Sequence, residues 1–225
     1  MINRRIALTG AAAAGALAFR SPSRAADIGG RRFEIFRGKG VIGAQSINVR
    51  RGDAYTVART QIDIAITFLG ITAYRYTLSC TERWTAGRLV SLTSDCDDDG
   101  DKTYVRVSAV EGGLLVDASG HQGVIAADAA PTTYWSSDFL TRPTWISTQT
   151  GIPLAITCTE AGSETVSAGA GPREAQRWNV TGDLEMTLLF AGGEWAGNIF
   201  DAKGETGRLS ATSLTPALSP LLGPA

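Results

Sequence analysis

The sequence predicts an all-β protein, a long antiparallel meander that curls into a barrel or an open half-barrel. Apolar residues alternate with polar ones at a period of two along most of the chain, and helical periodicity is nearly absent after the first 26 residues. Short glycine-containing turn signals separate the alternating segments, often at intervals near ten residues. A sheet of about a dozen such strands, with almost no helix to cover it, has to curl onto itself. A two-sheet sandwich is the alternative.

The first segment, residues 1–26, has the pattern of a cleaved export signal. Arg4 and Arg5 precede a short apolar stretch that runs from position 6 to position 19, and Ser23-Arg24-Ala25 supplies small residues at a peptidase site. The stretch is shorter than a membrane-spanning helix requires. The paired arginines resemble a twin-arginine signal. We therefore expect a periplasmic or secreted protein without a transmembrane segment, cleaved after Ala25 or Ala26.

Residues 27–212 are expected to form one β domain. The clearest strand is TQIDIAITF, in which Ile62, Ile64, Ile66 and Phe68 share one face, and LEMTLLF repeats the pattern late in the chain. A hairpin is predicted to turn at Ala86-Gly87. Its register would set Cys80 opposite Thr93, so that Cys80 and Cys96 point to opposite faces and three free thiols result.

The middle of the chain, about residues 120–151, breaks the alternation. It contains PTTYWSSDFLTRPTWISTQTG, with two prolines and two tryptophans, and Ser137-Asp138 is predicted to cap a short helical turn. An insertion of this length is more often functional than idle. Residues 213–225 are rich in proline and are expected to form a flexible or loosely docked tail.

Composition excludes several classes of partner. Four of the 21 basic residues and none of the 22 acidic ones lie in residues 1–26, so the remainder has a net charge of −5. That balance argues against a nucleic acid or an anionic membrane as partner. No cofactor motif is present, and the oligomeric state is not readable from the sequence.

Two motifs each have two interpretations, one as a chemical site and one as an ordinary turn. Asp95, Asp97, Asp99 and Gly100 have the spacing that opens a calcium loop, but Arg106 stands where the loop needs a bidentate glutamate, so a hairpin turn is favoured. His121 is the only histidine and is expected in a solvated turn. Neither motif predicts a catalytic or a metal site.

The candidate site residues are aromatic side chains and one carboxylate. Glu82 falls on the aromatic face of its strand, where it would be a polar anchor, an acid or base, or a carboxylate paired with an arginine. Aromatic residues of the middle segment would wall a pocket mouth or plug the open end of the sheet as core. The predicted ligand-binding set is Tyr74, Tyr76, Glu82, Trp84, Tyr134, Trp135 and Trp145.

The order of motifs resembles a known family. FEIFRGKGVIGAQSINVRR is followed by YRYTLSCTERWTAGRLVSLTSDCDDDGDKTYV, and then by PTTYW, STQTG and GEWAG. Together these segments, over about residues 30–212, resemble an uncharacterised family of exported proteobacterial proteins known as domain of unknown function 6134. Its layout is similar to other unassigned periplasmic β-proteins. The resemblance implies a periplasmic all-β protein and no assigned activity, and by analogy an open half-barrel like that of periplasmic lipoprotein carriers.

Three functions are compatible with these observations. The leading hypothesis is a non-enzymatic protein that binds a lipid or another apolar ligand on the face that includes Ile62, Ile64, Tyr74 and Tyr76. The second is a structural or interaction module of the cell envelope with a filled core. The third is an enzyme built on Glu82 and Asp63, which would need a second titrating group beside Glu82 in a cleft.

Overall fold

The computed structural model describes residues 26–52, 54–168, 171–214 and 218. These residues form fifteen strands and one 3-10 helix, Ser137–Thr141. The strands are β1 (Ala26–Arg37), β2 (Gly40–Arg51), β3 (Thr56–Phe68), β4 (Ile71–Thr85), β5 (Arg88–Asp98), β6 (Asp101–Val110), β7 (Gly113–Ala118), β8 (Gln122–Ile125), β9 (Ala130–Pro131), β10 (Thr144–Ile146), β11 (Pro153–Ser167), β12 (Pro172–Gly182), β13 (Met186–Ala191), β14 (Glu194–Asp201) and β15 (Thr206–Ala211).

All fifteen strands belong to one sheet, in the order β8-β7-β6-β5-β4-β3-β2-β1-β15-β14-β13-β12-β11-β10-β9. Neighbouring strands are antiparallel except β9 and β10, which are parallel. The two outermost strands, β8 and β9, do not pair with each other. The all-β class, the antiparallel meander and the short helical turn are therefore confirmed. The sheet stays open, so the closed barrel does not form.

Tight turns join the long strands where the sequence signals them. Ala86 and Gly87 both have positive φ, 47° and 71°, as a two-residue hairpin turn requires. The acidic stretch forms the next hairpin, with Asp99 and Gly100 at φ 54° and 102° between β5 and β6. The Asp97 carboxylate accepts the Gly100 N–H at 2.8 Å. This stretch is therefore a hairpin turn, and the Asp97 carboxylate stabilises it.

The register of the β4–β5 hairpin corrects the expectation for the cysteines. A bulge between Arg83 and Trp84 shifts the pairing by one residue, so Cys80 lies opposite Ser94, and Cys96 lies opposite Leu78. Both thiols therefore point to the buried face, and the expectation of opposite faces was wrong. Cys80, Cys96 and Cys158 are all free.

The main core lies on one face of the sheet, which we call the inner face. In β2 to β7 buried and exposed residues alternate closely, as in β7, where Leu114 and Val116 are buried and Leu115 and Asp117 are exposed. The middle segment packs on this inner face and contributes Trp135, Phe139, Trp145 and Ile146 to the main core. The interior of the curled sheet is thus occupied by the chain's own insertion.

The predicted terminal segments fall largely outside the described residues. The predicted export signal lies outside the described residues except for Ala26, and of the predicted tail only 213, 214 and 218 are described. Leu218 is fully buried, and its backbone N–H donates to the Glu194 carboxylate at 2.7 Å. Among the described residues, no helix is long and apolar enough to cross a membrane.

Candidate functional site

Glu82 lies at the centre of the packed interior. Strand β4 presents it on the inner face between Cys80 and Trp84, and its side chain is 0% exposed. The indole N–H groups of Trp84 and Trp135 both donate to the same carboxyl oxygen, Oε2, at 2.8 and 3.0 Å. Two tryptophans from distant parts of the chain thereby fix one carboxyl group, and they satisfy their own buried N–H groups in doing so.

The surroundings of Glu82 favour its neutral form. Burial raises the pKa of the Glu82 carboxyl, and the donors Trp135, Thr133 and Trp84 only partly offset this. The second oxygen, Oε1, and the Thr133 hydroxyl are both buried, and no hydrogen bond to either meets normal geometry. Burial likewise raises the pKa of the Cys80 thiol, and the neighbouring Glu82 carboxylate raises it further. Glu82 is therefore a buried carboxyl whose raised pKa favours the neutral form inside an apolar core.

Aromatic rings enclose the carboxyl. Trp84 stacks on Phe139 with ring centroids 5.4 Å apart, and Trp135 meets both of these rings edge-on at 6.4 and 5.6 Å. The Arg142 guanidinium lies 5.3 Å from the Trp84 ring and donates to the carbonyls of Asp128 and Gly87. Arg142 thus fastens the end of the 3-10 helix to the β4–β5 turn and closes the cluster.

A second group of rings continues from the first. Tyr134 lies 5.5 Å from Trp145 and 5.9 Å from Trp195, and Trp195 lies 4.1 Å from Phe33. The Trp145 indole N–H donates to the Phe139 carbonyl at 3.1 Å. Tyr134 has a φ of 58°, and burial raises the pKa of its hydroxyl. These rings join the middle segment to β1 and β14.

Five of the seven predicted site residues come together in this way: Glu82, Trp84, Tyr134, Trp135 and Trp145. Tyr74 and Tyr76 lie apart from them, towards the other end of β4. The Tyr74 hydroxyl donates to Asp98 at 2.7 Å, and Tyr76 is half-buried beside Cys96. Burial raises the pKa of both hydroxyls. The structure therefore places Trp135 and Trp145 inside the core and not at the mouth of a pocket.

The arrangement offers little for chemistry. Asp63, the suggested partner of Glu82, points to the outer face and forms an exposed ion pair with Arg75 at 3.0 Å. Among the described residues, the titratable group that interacts with the sealed carboxyl is the Cys80 thiol. Within the described part of the chain, no group of three histidine, cysteine or acidic residues could hold a metal ion. The Glu82 carboxyl can hold a proton, and its hydrogen bonds fix the positions of the two indole rings. It is not exposed to solvent.

Sequence reasoning missed one buried charge, Arg31. It lies on the inner face of β1 beside Phe33 and Ile35, and it is 3% exposed. It donates to Glu194 and to the carbonyls of Trp195 and Leu214, all at 2.9–3.0 Å. Burial lowers the pKa of this guanidinium, and the Glu194 carboxylate opposes that shift. The alternation Arg31-x-Phe33-x-Ile35 was a usable signal, because it puts the arginine on the apolar face.

A family model described as "Domain of unknown function (DUF6134)" matches residues 33–212. No curated protein and no solved structure matches the chain. The matched range runs from Phe33 in β1 to the residue after β15, so it includes at least part of every strand.

Proposed function

The chain belongs to the family described as domain of unknown function DUF6134, and we propose that it is an exported, non-enzymatic interaction module. In this proposal the interior is a filled core, and partners are met on the outside of the sheet. Export to the cell envelope is part of the proposal and rests on the pattern of residues 1–26. Replacing Arg4 and Arg5 by lysine is expected to retain the full-length precursor in the cytoplasm, as measured by cell fractionation.

The observation that carries the proposal is the packing of the inner face. Trp84, Trp135, Phe139 and Trp145 are at most 1% exposed and contact one another across the space that a ligand would need. Protein interiors packed in this way hold few voids larger than a water molecule. Because the chain's own residues already cover the inner face, we place the function on the outer surface.

The edge strand β8 is the surface we assign to a protein partner. It is the last strand of the sheet, and within the described residues no strand pairs with its free side. Its Val124 is 59% exposed and lies directly opposite Leu115 of β7, which is 43% exposed. A free edge beside an outward apolar pair suits an added strand from another protein, because main-chain hydrogen bonds and side-chain contacts are then available together.

Site-specific photo-cross-linking in cells tests this assignment. A photoreactive residue at Val124 is expected to give a discrete cross-linked protein. Val41 is the matched control, because it is 58% exposed but lies on β2, away from the edge. Equal products from both positions, or none from Val124, would contradict a partner at β8.

Binding of an apolar ligand is the second candidate function, favoured by one observation. On the inner face, Ile62, Ile64 and Tyr76 are only half-buried, so the apolar surface is less completely covered at that end of β3 and β4 than beside Glu82. A short acyl chain would find contacts there. The hypothesis stays a prediction.

Titration with a fluorescent fatty acid tests the second candidate. If a ligand lies at this end, wild-type protein binds the probe and the Ile64→Asp variant does not. The Ala65→Asp variant is the matched control, because its side chain points to the opposite face of the same strand. Absence of binding to the wild type would remove this candidate.

A further inference from the structure

The outer face of the sheet contains a concavity of about 770 Å³ that crosses β2 to β6. Three lining residues come from each of β2 to β6, and Arg32 of β1 adds one more at the end, and this pattern shows how the concavity is built. The central residue of each triplet points to the inner face, so only its backbone forms the floor. The two flanking residues point outwards and form the walls. We call this concavity the outer trench.

The first wall is a continuous row of polar side chains. Each member lies directly opposite the next one across the strand ladder. In order they are Arg32, Ser46, Gln61, Ser79, Asp95 and Tyr104.

The second wall runs parallel to the first, two residues further along each strand. Its members are Ala44, Asp63, Thr77, Asp97 and Lys102, again in cross-strand register. The two walls are about 7 Å apart along the strands, and the five strands span about 19 Å. The trench is therefore long, narrow and perpendicular to the strands, which suits a linear ligand.

The side chains leave the centre of the trench open. The short residues Thr77 and Ser79 lie on β4, the central strand, and the long residues Arg32, Lys102 and Tyr104 lie near the ends. Tyr104 is 39% exposed, and the Arg106 guanidinium lies 5.7 Å from its ring. One end of the trench therefore presents an aromatic ring to solvent.

The charges in the walls are of both signs and are partly neutralised. Asp95 is paired with Arg106 at 2.6 Å and Asp63 with Arg75 at 3.0 Å, so these carboxylates are held in place by arginines outside the trench. Asp97 faces Lys102 in the register. The walls thus offer carboxylate, hydroxyl, amide and cationic groups without a dominant charge, which disfavours a polyanion.

We propose that the outer trench binds a linear, uncharged saccharide chain. The floor is sheet backbone whose N–H and C=O groups are already paired in the ladder, so a peptide strand has no main-chain partners there. A saccharide needs none, because its hydroxyl groups donate and accept bonds with side chains, and a sugar ring can lie against Tyr104. The proposal concerns a different surface from β8 and does not depend on a protein partner at that edge.

Isothermal titration calorimetry with tetrasaccharides tests the proposal. The neutral probes are the tetramers of N-acetylglucosamine, of β-1,4-linked glucose and of α-1,4-linked glucose, and the anionic probe is tetragalacturonate. Wild-type protein is expected to bind at least one neutral probe and to bind the anionic one at least about tenfold more weakly. Failure of all three neutral probes, or tighter binding of the anionic probe, would overturn the proposal.

Two pairs of variants locate the binding. Ser79→Trp fills the middle of the trench and is expected to weaken binding by at least about tenfold, whereas Thr81→Trp, on the same face of β4 outside the trench, changes it by less than about twofold. Tyr104→Ala is expected to weaken binding, whereas Tyr55→Ala does not. Tyr55 is a matched control, because it is 38% exposed, carries Arg83 over its ring and lies outside the trench.

Thermal unfolding of each variant separates loss of the fold from loss of binding. Unchanged binding in a folded Ser79→Trp protein would place the saccharide elsewhere and overturn the proposal. If Ser79→Trp does not fold, the Tyr104→Ala and Tyr55→Ala pair decides the question, and equal affinities in that pair would overturn it.

Discussion

The two halves of the sheet differ in how much of their outer face is buried. In β2 to β7 only the inner face is buried, and the outer face is exposed and carries mostly polar and charged side chains, with Leu115 as an apolar exception. In β13 and β14 both faces are buried: Leu188 and Phe190 join the main core, and Leu189 and Ala191 join a second cluster on the opposite side. The same sheet is therefore one-sided in its first half and two-sided in its second.

The second cluster follows from a bend in β11. A bulge between Glu160 and Ser163 interrupts the pairing of β11 with β12. Beyond it, Glu164 forms ion pairs with Arg177 of β12 and Arg208 of β15, and Val166 packs against Ala175 and Ala196. Small residues allow this close approach. The comparison shows that the second half covers part of its outer face, whereas the first half leaves its outer face open to a ligand.

The largest effect on stability is expected when an aromatic ring is removed from the main core. Trp135→Ala is expected to lower the free energy of unfolding by about 3–5 kcal/mol, because it opens a cavity and leaves Glu82 with one indole donor. Denaturant unfolding followed by circular dichroism measures the change, with Tyr55→Ala as the exposed control. A loss below about 1 kcal/mol would mean that the inner face is not packed around Trp135.

The pH dependence of stability tests the state of Glu82. Because the native pKa is raised above its ordinary value of 4.5, the unfolded chain releases this proton first as pH rises. The contribution of Glu82 to the free energy of unfolding is therefore fully present below about pH 4.5. Above that pH it falls by up to about 1.4 kcal/mol per pH unit until the native carboxyl ionises. Glu82→Gln cannot ionise, so the variant is expected to lose this slope.

Urea unfolding of the wild type and the variant at about pH 4.5, 6 and 7.5 measures the slope. Glu34→Gln is the control, because Glu34 is exposed on β1. Parallel pH profiles for wild type and Glu82→Gln would show that Glu82 is not held protonated in the folded protein.

A matched pair of valines compares the two clusters directly. Val107 lies in the main core, and Val166 lies in the second cluster, where it is slightly more exposed. Val166→Ala is expected to cost about 1–2 kcal/mol and Val107→Ala about 2–3 kcal/mol, because the larger core relaxes less around the two lost methyl groups. Equal losses, measured by denaturant unfolding, would mean that the second cluster is as rigid as the first.

The smallest effect is expected on the open outer face. Asp63→Asn breaks the ion pair with Arg75, in which both side chains are 61% exposed. The loss is expected to stay below about 1 kcal/mol and to shrink further as salt is added. A loss above about 2 kcal/mol would show that this face contributes to the fold more than an exposed surface does.

The sequence predicted the fold class and most hairpins because alternation and turn residues are local signals. Ile62 and Ile64 shared a face as expected, and Ala86-Gly87 turned the hairpin. The cysteine register failed because the bulge between Arg83 and Trp84 has no clear local signature. Leu188 and Leu189 are adjacent and both buried, which period-two reasoning does not predict.

The candidate site was predicted in part for the same reason. Glu82 and Trp84 lie two residues apart on one strand, so their shared face was readable. Trp135 lies 53 residues beyond Glu82, and its bond to the carboxyl depends on where the middle segment packs. The outer trench was not predicted, because its walls are rows across five strands and appear only once every register is known.

Native mass spectrometry of the purified protein, after incubation with total membrane lipid, tests the filled interior most directly. We expect the mass of the unliganded chain, since the protein's own aromatic residues occupy the inner face. A stoichiometric adduct of lipid size, confirmed by organic extraction, would contradict it and would move the binding site to the inside of the sheet.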